Sequence, residues 1–211
     1  MITHLLFDLD NTLYSARYGL EKNVSERLEN YVSRLLGIGH KESEELHRSL
    51  IRDKGYGTTI EWLIKEKGFT GIDDYYAAIN PQDEADSLPP DPDLGDFLAS
   101  IPLPKFILTN STIVHSGRIL EKLGIEEHFT DIFDIRFNNF KGKPHSDAFM
   151  RALNAMDAKP SATLFIDDYP EFIAGFLKMG GKGVLLDEFG RHPAFPHDRI
   201  ANIREIIKFL D

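Results

Sequence analysis

The sequence predicts an α/β fold: a doubly wound, mostly parallel sheet with a small all-helical cap domain inserted after the first strand. Three observations predict it. Apolar runs at residues 5–7, 106–108 and 164–166 each end abruptly in polar residues. Continuous runs of that length suit parallel strands buried on both faces. Helical patterns over 113–123 and 146–156 separate the later runs, and strands alternating with helices give a doubly wound sheet. Between the first two runs, from about residue 15 to 88, the periodicity is helical and contains no strand.

Taken in order, the first strand delivers Asp8 at its end. The inserted segment reads as four helices, over 20–36, 41–54, 58–67 and 73–79. Leu88-Pro89-Pro90-Asp91-Pro92 then breaks the chain before a helix over 93–101. The expected division is a catalytic core of 1–14 and 89–211 and a cap of 15–88. In the core follow the strand ending at Thr109, a helix over 113–123, a strand over 132–137 and a helix over 146–156. The strand ending in Asp167-Asp168 leads to a helix opened by Tyr169-Pro170, with proline in the first turn. A strand over 183–186 comes next. An amphipathic helix over 199–210 closes the chain, because Ile200, Ile203, Ile206 and Ile207 recur at helical spacing.

Composition narrows the function classes. At 211 residues the chain supports one good core, or a core and a small second domain. No run approaches the roughly 20 apolar residues that span a bilayer. The N-terminus lacks a basic region ahead of an apolar one, so no signal peptide is expected. With no cysteine, disulfides and thiolate metal sites are excluded, which fits a reducing cytoplasm. A net charge of −10 makes a poor non-specific binder of nucleic acid. The expected partner is a small phosphorylated metabolite, with neither a nucleic-acid polymer nor a membrane. An acidic protein that binds phosphate has to supply positive charge locally, from a metal, a lysine or helix N-termini. No coiled-coil seam is evident, and the oligomeric state is left open.

The polar tips carry the chemistry. In open α/β sheets ligands bind at the carboxyl ends of the strands, where all three tips fall. Asp8 and Asp10, two residues apart, can face one crevice: one as a nucleophile on phosphorus, the other as acid and then base. Asp167 and Asp168 end the later strand. Four carboxylates converging on one crevice repel one another and need a cation. Oxygen-only ligands in a cysteine-free chain favour Mg²⁺. Thr109 and Asn110 offer a hydroxyl, an amide and backbone N–H groups to phosphate oxygens. Lys143, fixed by the following Pro144, is preferred over Lys141 as the phosphate-binding cation.

In order along the chain, Asp8-Leu9-Asp10-Asn11-Thr12, Thr109-Asn110, Lys143-Pro144 and Asp167-Asp168 resemble the four motifs of the haloacid dehalogenase superfamily of phosphohydrolases. The resemblance implies Asp8 as nucleophile and Asp10 as general acid/base, with the Asp10 carbonyl on the metal. It implies phosphate contacts from Thr109, Asn110 and Lys143. Asp168 would ligate Mg²⁺ directly and Asp167 would hold metal-bound water. Asp10-Asn11-Thr12-Leu13-Tyr14, Gly19-Leu20 and Tyr56-Gly57-Thr58-Thr59 look in addition like the pyrimidine 5′-nucleotidase branch, which implies a nucleoside 5′-monophosphate as substrate. Tyr169 and Phe172 stand where that branch usually has Ser and Asn.

Other chemistries on the same scaffold remain as alternatives: a phosphatase of phosphoglycolate or a sugar phosphate, a phosphomutase, or a phosphonatase using a cap lysine such as Lys54. Asp10 argues against a true dehalogenase. A receiver-type signalling module also combines carboxylates, Thr and Lys around Mg²⁺, but there the acidic pair comes first. A catalytically idle phosphate-binding module would be expected to lose Asp8 or Asp10, and both are present.

Overall fold

Every apolar run of the core becomes a strand of one sheet in the computed structural model, which describes residues 1–210. The strands are β1 (His4–Phe7), β2 (Lys105–Leu108), β3 (Asp131–Phe133), β4 (Thr163–Asp167), β5 (Lys182–Leu186) and β6 (Arg199–Ile200). They lie in the order β3-β2-β1-β4-β5-β6, with every neighbouring pair parallel. After β1 the chain builds one side of the sheet, and from β4 onward the other. The reversal point, where such sheets open a crevice for ligands, therefore falls between β1 and β4.

Alternation along each strand supplies two faces. Leu5, Phe7, Ile107, Ile166 and Val184 pack to one side, under α5 (Pro92–Ala99) and α6 (Ile113–Leu123). Leu6, Phe106, Phe165 and Leu185 pack to the other, under α7 (Ser146–Ala155) and α8 (Pro170–Leu177). Register places Leu6 beside both Phe106 and Phe165. On that second face Phe149, Phe165 and Phe176 form a fully buried trio with ring centroids 5.2–5.3 Å apart. That spacing is the usual one for favourable aromatic pairs.

The inserted segment forms α1 (Leu20–Leu36), α2 (His40–Arg52), α3 (Thr59–Lys67) and α4 (Ile72–Ile79). These helices gather around their own apolar cluster, which includes Leu28, Val32, Leu50, Leu63 and Tyr75. Tyr31 meets Tyr75 edge to face at 5.3 Å. Ile135, from the loop after β3, also joins this cluster and ties the helices to the sheet layer. None of the helices among the described residues is long and apolar enough to cross a membrane.

Two expectations need correction. The strand expected over 132–137 stops at Phe133, because Asp134 turns the chain. Its Oδ1 accepts from Phe137 N at 2.7 Å, and its Oδ2 accepts from Ile113 N at 2.9 Å. The amphipathic helix expected over 199–210 divides into β6 and a 3-10 helix over Ile203–Phe209. Asn202 caps that helix in a reciprocal box with Glu205. A 3-10 helix aligns residues three apart, so Ile203 and Ile206 are buried while Ile207 is half exposed. Ile200, counted with them by its spacing, is instead a buried strand residue.

Phe165→Ala is expected to lower unfolding stability by about 3–5 kcal/mol, the usual loss for a fully buried phenylalanine. Urea titration checks this, and a loss under about 1 kcal/mol would mean that the aromatic trio repacks without a cavity.

Candidate active site

The turn after β1 sets the geometry. The N–H of Asp8 still follows the ladder, donating to Ile166 O at 2.8 Å. The chain then tightens, with Leu13 N donating to Leu9 O at 2.9 Å. Asn11 sits at φ 55°, a left-handed conformation that asparagine tolerates better than most residues. Asp8 and Asp10 consequently line the same crevice, together with Thr109 and Asn110 from the end of β2, Lys143 from the loop before α7, and Asp168 beyond β4.

Lys143 is at the centre. Its Nζ donates to Asp8 Oδ1 and to Asp167 Oδ2, each at 2.6 Å, and the side chain is wholly buried. It also lies over the rings of Phe172 and Phe165, at 5.0 and 5.4 Å from their centroids. Burial alone pushes the ammonium pKa down, and the charges of Asp167 and Asp8 reverse that to a net rise. Lys141, its rival in sequence, reaches outward to Asp147 at 2.7 Å. Asn110 fixes the Lys143 backbone on both sides, donating from Nδ2 to its carbonyl at 3.0 Å and accepting from its N–H at 2.8 Å. Gly142 makes room for this, since a Cβ there would lie 2.1 Å from Asn110 Oδ1. Thr109 Oγ1 accepts from Ser111 N at 3.0 Å.

One ammonium does not balance the carboxylates. Burial raises Asp8, and the pull of Lys143 does not cancel it. Burial, and then the Asp8 charge, push Asp167 up to about 7 against the opposing Lys143. Burial together with the Asp167 and Asp8 charges pushes Asp168 up to about 9. Asp8, Asp167 and Asp168 each offer one oxygen, and these oxygens lie within 4.8 Å of one another. Hard oxygen donors around an excess of negative charge fit a divalent cation such as Mg²⁺.

Asp10 is treated differently from its neighbours. Its Oδ1 accepts from Tyr14 Oη at 2.6 Å and lies 2.8 Å from His115 Nε2, and its Oδ2 accepts from Ser111 Oγ at 2.8 Å. Burial raises this carboxyl, but the His115 charge and these hydrogen bonds outweigh it and hold the pKa at about 2. Behind it, His115 Nδ1 lies 2.9 Å from Glu84 Oε1, and Arg118 closes the chain at 3.2 Å from the same oxygen. Burial lowers the imidazole, and its two carboxylate partners carry it to about 10. Sequence reading gave no role to His115, Glu84, Ser111 or Tyr14, although Tyr14 closes one of the quoted motifs. Ser111 directly follows Asn110 and His115 lies five residues beyond it, whereas Glu84 carries no sequence signal.

The inserted helices complete the crevice, which has a volume of about 190 Å³. Glu21, in the first turn of α1, accepts from Asn11 Nδ2 and, at 3.0 Å, from Tyr169 Oη. Gly57 packs on the core so closely that a Cβ would lie 2.7 Å from the Lys143 carbonyl. Its N–H donates to Glu61 Oε2 at 2.8 Å, and His145 Nε2 meets that same oxygen at 2.9 Å. The Tyr56-Gly57-Thr58-Thr59 loop thus reaches the crevice through its last three residues.

Comparison with known proteins agrees with this architecture. A family model described as haloacid dehalogenase-like hydrolase matches residues 2–180. The glyceraldehyde 3-phosphate phosphatase of Methanocaldococcus jannaschii is 27% identical over 183 residues, 80% of this chain and 77% of its own. Phosphate metabolism protein 8 of Saccharomyces cerevisiae is 28% identical over 193 residues, 82% of this chain and 58% of its own. Among solved structures, the HAD-hydrolase YfnB from Bacillus subtilis bound to magnesium superposes with a TM-score of 0.66 at 19% identity. That match covers 99% of this chain and 98% of the other.

The Asp10–His115–Glu84 chain makes stability depend on pH. The pKa of His115 rises from an ordinary 6.5 to about 10 on folding, so its contribution is complete below pH 6.5 and is lost as pH climbs through about 10. The urea midpoint is expected to fall between pH 7 and 10, and to fall less steeply in His115→Asn. Parallel slopes for the two proteins would show that the imidazole is not held protonated.

Proposed function

The chain belongs to the haloacid dehalogenase-like hydrolases and is a phosphatase acting on a small phosphate substrate; we propose that it works through an aspartyl-phosphate formed on Asp8, with Mg²⁺ as cofactor. The observation that carries the proposal is the position of Asp8. It stands at the reversal point of the sheet, held by Lys143 from one side and open to the crevice on the other.

In this reading Lys143 and the backbone around Thr109 receive the phosphate, and the ammonium also holds the Asp8 carboxylate in line for attack. Asp8, Asp168 and Asp167, with the Asp10 carbonyl, would hold Mg²⁺, which would supply charge neutralisation for a dianionic phosphate approaching a carboxylate. Asp8 Oδ attacks phosphorus as the leaving oxygen departs. Asp10 protonates that oxygen, drawing on the proton held at His115 Nε2, 2.8 Å away. Asp10 then removes a proton from the water that splits the acyl phosphate. Tyr14, Ser111 and His115 keep the carboxylate in one orientation through both steps. Residues 15–88 act as a cap that closes over the crevice and excludes water. A cysteine-free chain suits the cytoplasm for this work.

For the leaving group we favour a nucleoside, on the strength of the Tyr56-Gly57-Thr58-Thr59 loop that lines the crevice through its last three residues. A triose-sized leaving group is the second reading. A crevice of about 190 Å³ is smaller than the roughly 300–1,000 Å³ pockets that take drug-sized ligands, and the M. jannaschii relative is named for glyceraldehyde 3-phosphate.

Asp8→Asn is expected to cut phosphate release by at least about 1,000-fold with an unchanged circular-dichroism spectrum. Chelation of Mg²⁺ should do the same to the wild type. Near-normal turnover in the variant would remove Asp8 as the nucleophile, and full activity in chelator would remove the metal. A panel of UMP, CMP, purine nucleotides and triose phosphates ranks the leaving groups. A triose preferred over UMP would discard the nucleotidase reading.

A further inference from the structure

We infer that the crevice selects phosphate monoesters whose leaving alcohol is uncharged, and that Glu21 is the residue that turns away a second anionic group. The inference rests on the phosphatase reading above and specifies the substrate class of that same site. It follows from the charges that surround the space beyond the phosphate position. Four carboxylates line the crevice: Asp8, Asp10, Glu21 and Asp168. Among the described lining residues the only lysine or arginine is Lys143. That ammonium is fully buried, with Asp8 and Asp167 each 2.6 Å away, and stands at the phosphate end.

No other described cation is turned toward this space from the neighbouring helices. Arg27 Nε donates to Ile79 O at 2.7 Å. Arg118 is spent on Asn80 O, Pro81 O and Glu84, and Arg136 on Asp73. His47 does line the crevice, but it is bonded to Thr59 Oγ1 at 2.7 Å, and burial lowers its pKa toward the neutral form. A carboxylate or second phosphate on the leaving group would therefore lose its water and face Glu21 with no counter-charge. An unpaired buried charge is among the most costly things a protein site can hold. Rejection by a like charge is a recognised route to specificity.

The remaining lining is uncharged, a few polar groups set among apolar and aromatic ones. Ser25, Thr58 and Asn80 present hydroxyls and an amide, while Leu28, Ile60 and Ile79 present apolar surface. Such walls suit hydroxyl or carbonyl groups on a neutral carbon skeleton. Glu21 is locked in place by the Tyr169 hydroxyl and the Asn11 amide, so it cannot swing away to admit an anion cheaply.

The test compares near-isosteric esters that differ in one charge, with Mg²⁺ present: 2-hydroxyethyl phosphate against phosphoglycolate, and glycerol 3-phosphate against 3-phosphoglycerate. The neutral member of each pair is expected to have the higher kcat/KM, by on the order of 100-fold. Glu21→Gln, which removes the charge and keeps the shape, should narrow that ratio about tenfold. Because the readout is a ratio within one enzyme preparation, damage to the shared phosphate position cancels. Equal rates for the two members, a preference for the anionic one, or an unchanged ratio in Glu21→Gln overturns the inference and leaves the phosphatase standing. No release from any of the four esters or from the nucleotide panel defeats the phosphatase reading, and this inference with it.

Discussion

The contact on which the molecule depends is the buried ammonium of Lys143 between Asp8 and Asp167. Its two partners are 135 and 24 residues away in sequence, so one side chain joins the end of β1, the end of β4 and the loop before α7. Such a centre is poor value as a source of stability, because desolvating three charges offsets much of their attraction. Its value lies in orientation. A carboxylate bonded to a fixed ammonium presents its remaining oxygen lone pairs in a fixed direction, which suits the nucleophilic role proposed for Asp8. The surplus of negative charge that remains is what makes the same cluster suit a divalent cation.

Around this centre the structure arranges two different kinds of carboxylate environment. Asp8, Asp167 and Asp168 are destabilised as anions by burial and mutual repulsion. Asp10, only two residues from Asp8, is stabilised as an anion by His115, Tyr14 and Ser111. Pushing the affinities of neighbouring acids apart is how a protein assigns them distinct duties. The inserted helices touch the same machinery from above. Gly57 rests on the Lys143 carbonyl, and Glu61 bonds His145 just beyond it. A displacement of α3 is therefore felt directly by the segment that carries the central lysine.

Much of this was legible in the sequence, and the reasons are specific. Buried parallel strands need unbroken apolar runs, so β1, β2 and β4 announced themselves, and the polar residues that end them marked the crevice. Helices α1 and α6 coincide with the expected segments because their apolar stripes end at Gly37 and Gly124, both left-handed caps. The failures occurred where period carries little information. Ile200, Ile203, Ile206 and Ile207 fit an α-helical stripe, but two residues of strand and a 3-10 turn use the same apolar residues differently. The His115–Glu84–Arg118 chain was invisible for another reason. His115 and Arg118 are ordinary surface-type residues of α6, Glu84 belongs to the distant segment before α5, and only the folded chain brings them together behind Asp10.

The short outer strands have a consequence for solubility. A wide parallel sheet exposes unpaired backbone groups along both margins, and a long, flat margin invites a second chain to extend it. Here β3 runs for three residues before Asp134 bends the chain, and β6 for two before Asn202 starts a 3-10 helix. Neither margin offers enough consecutive donors and acceptors to template a neighbour. The features that defeated the reading of periodicity at 132–137 and 199–210 are thus the ones that keep this sheet from growing beyond itself.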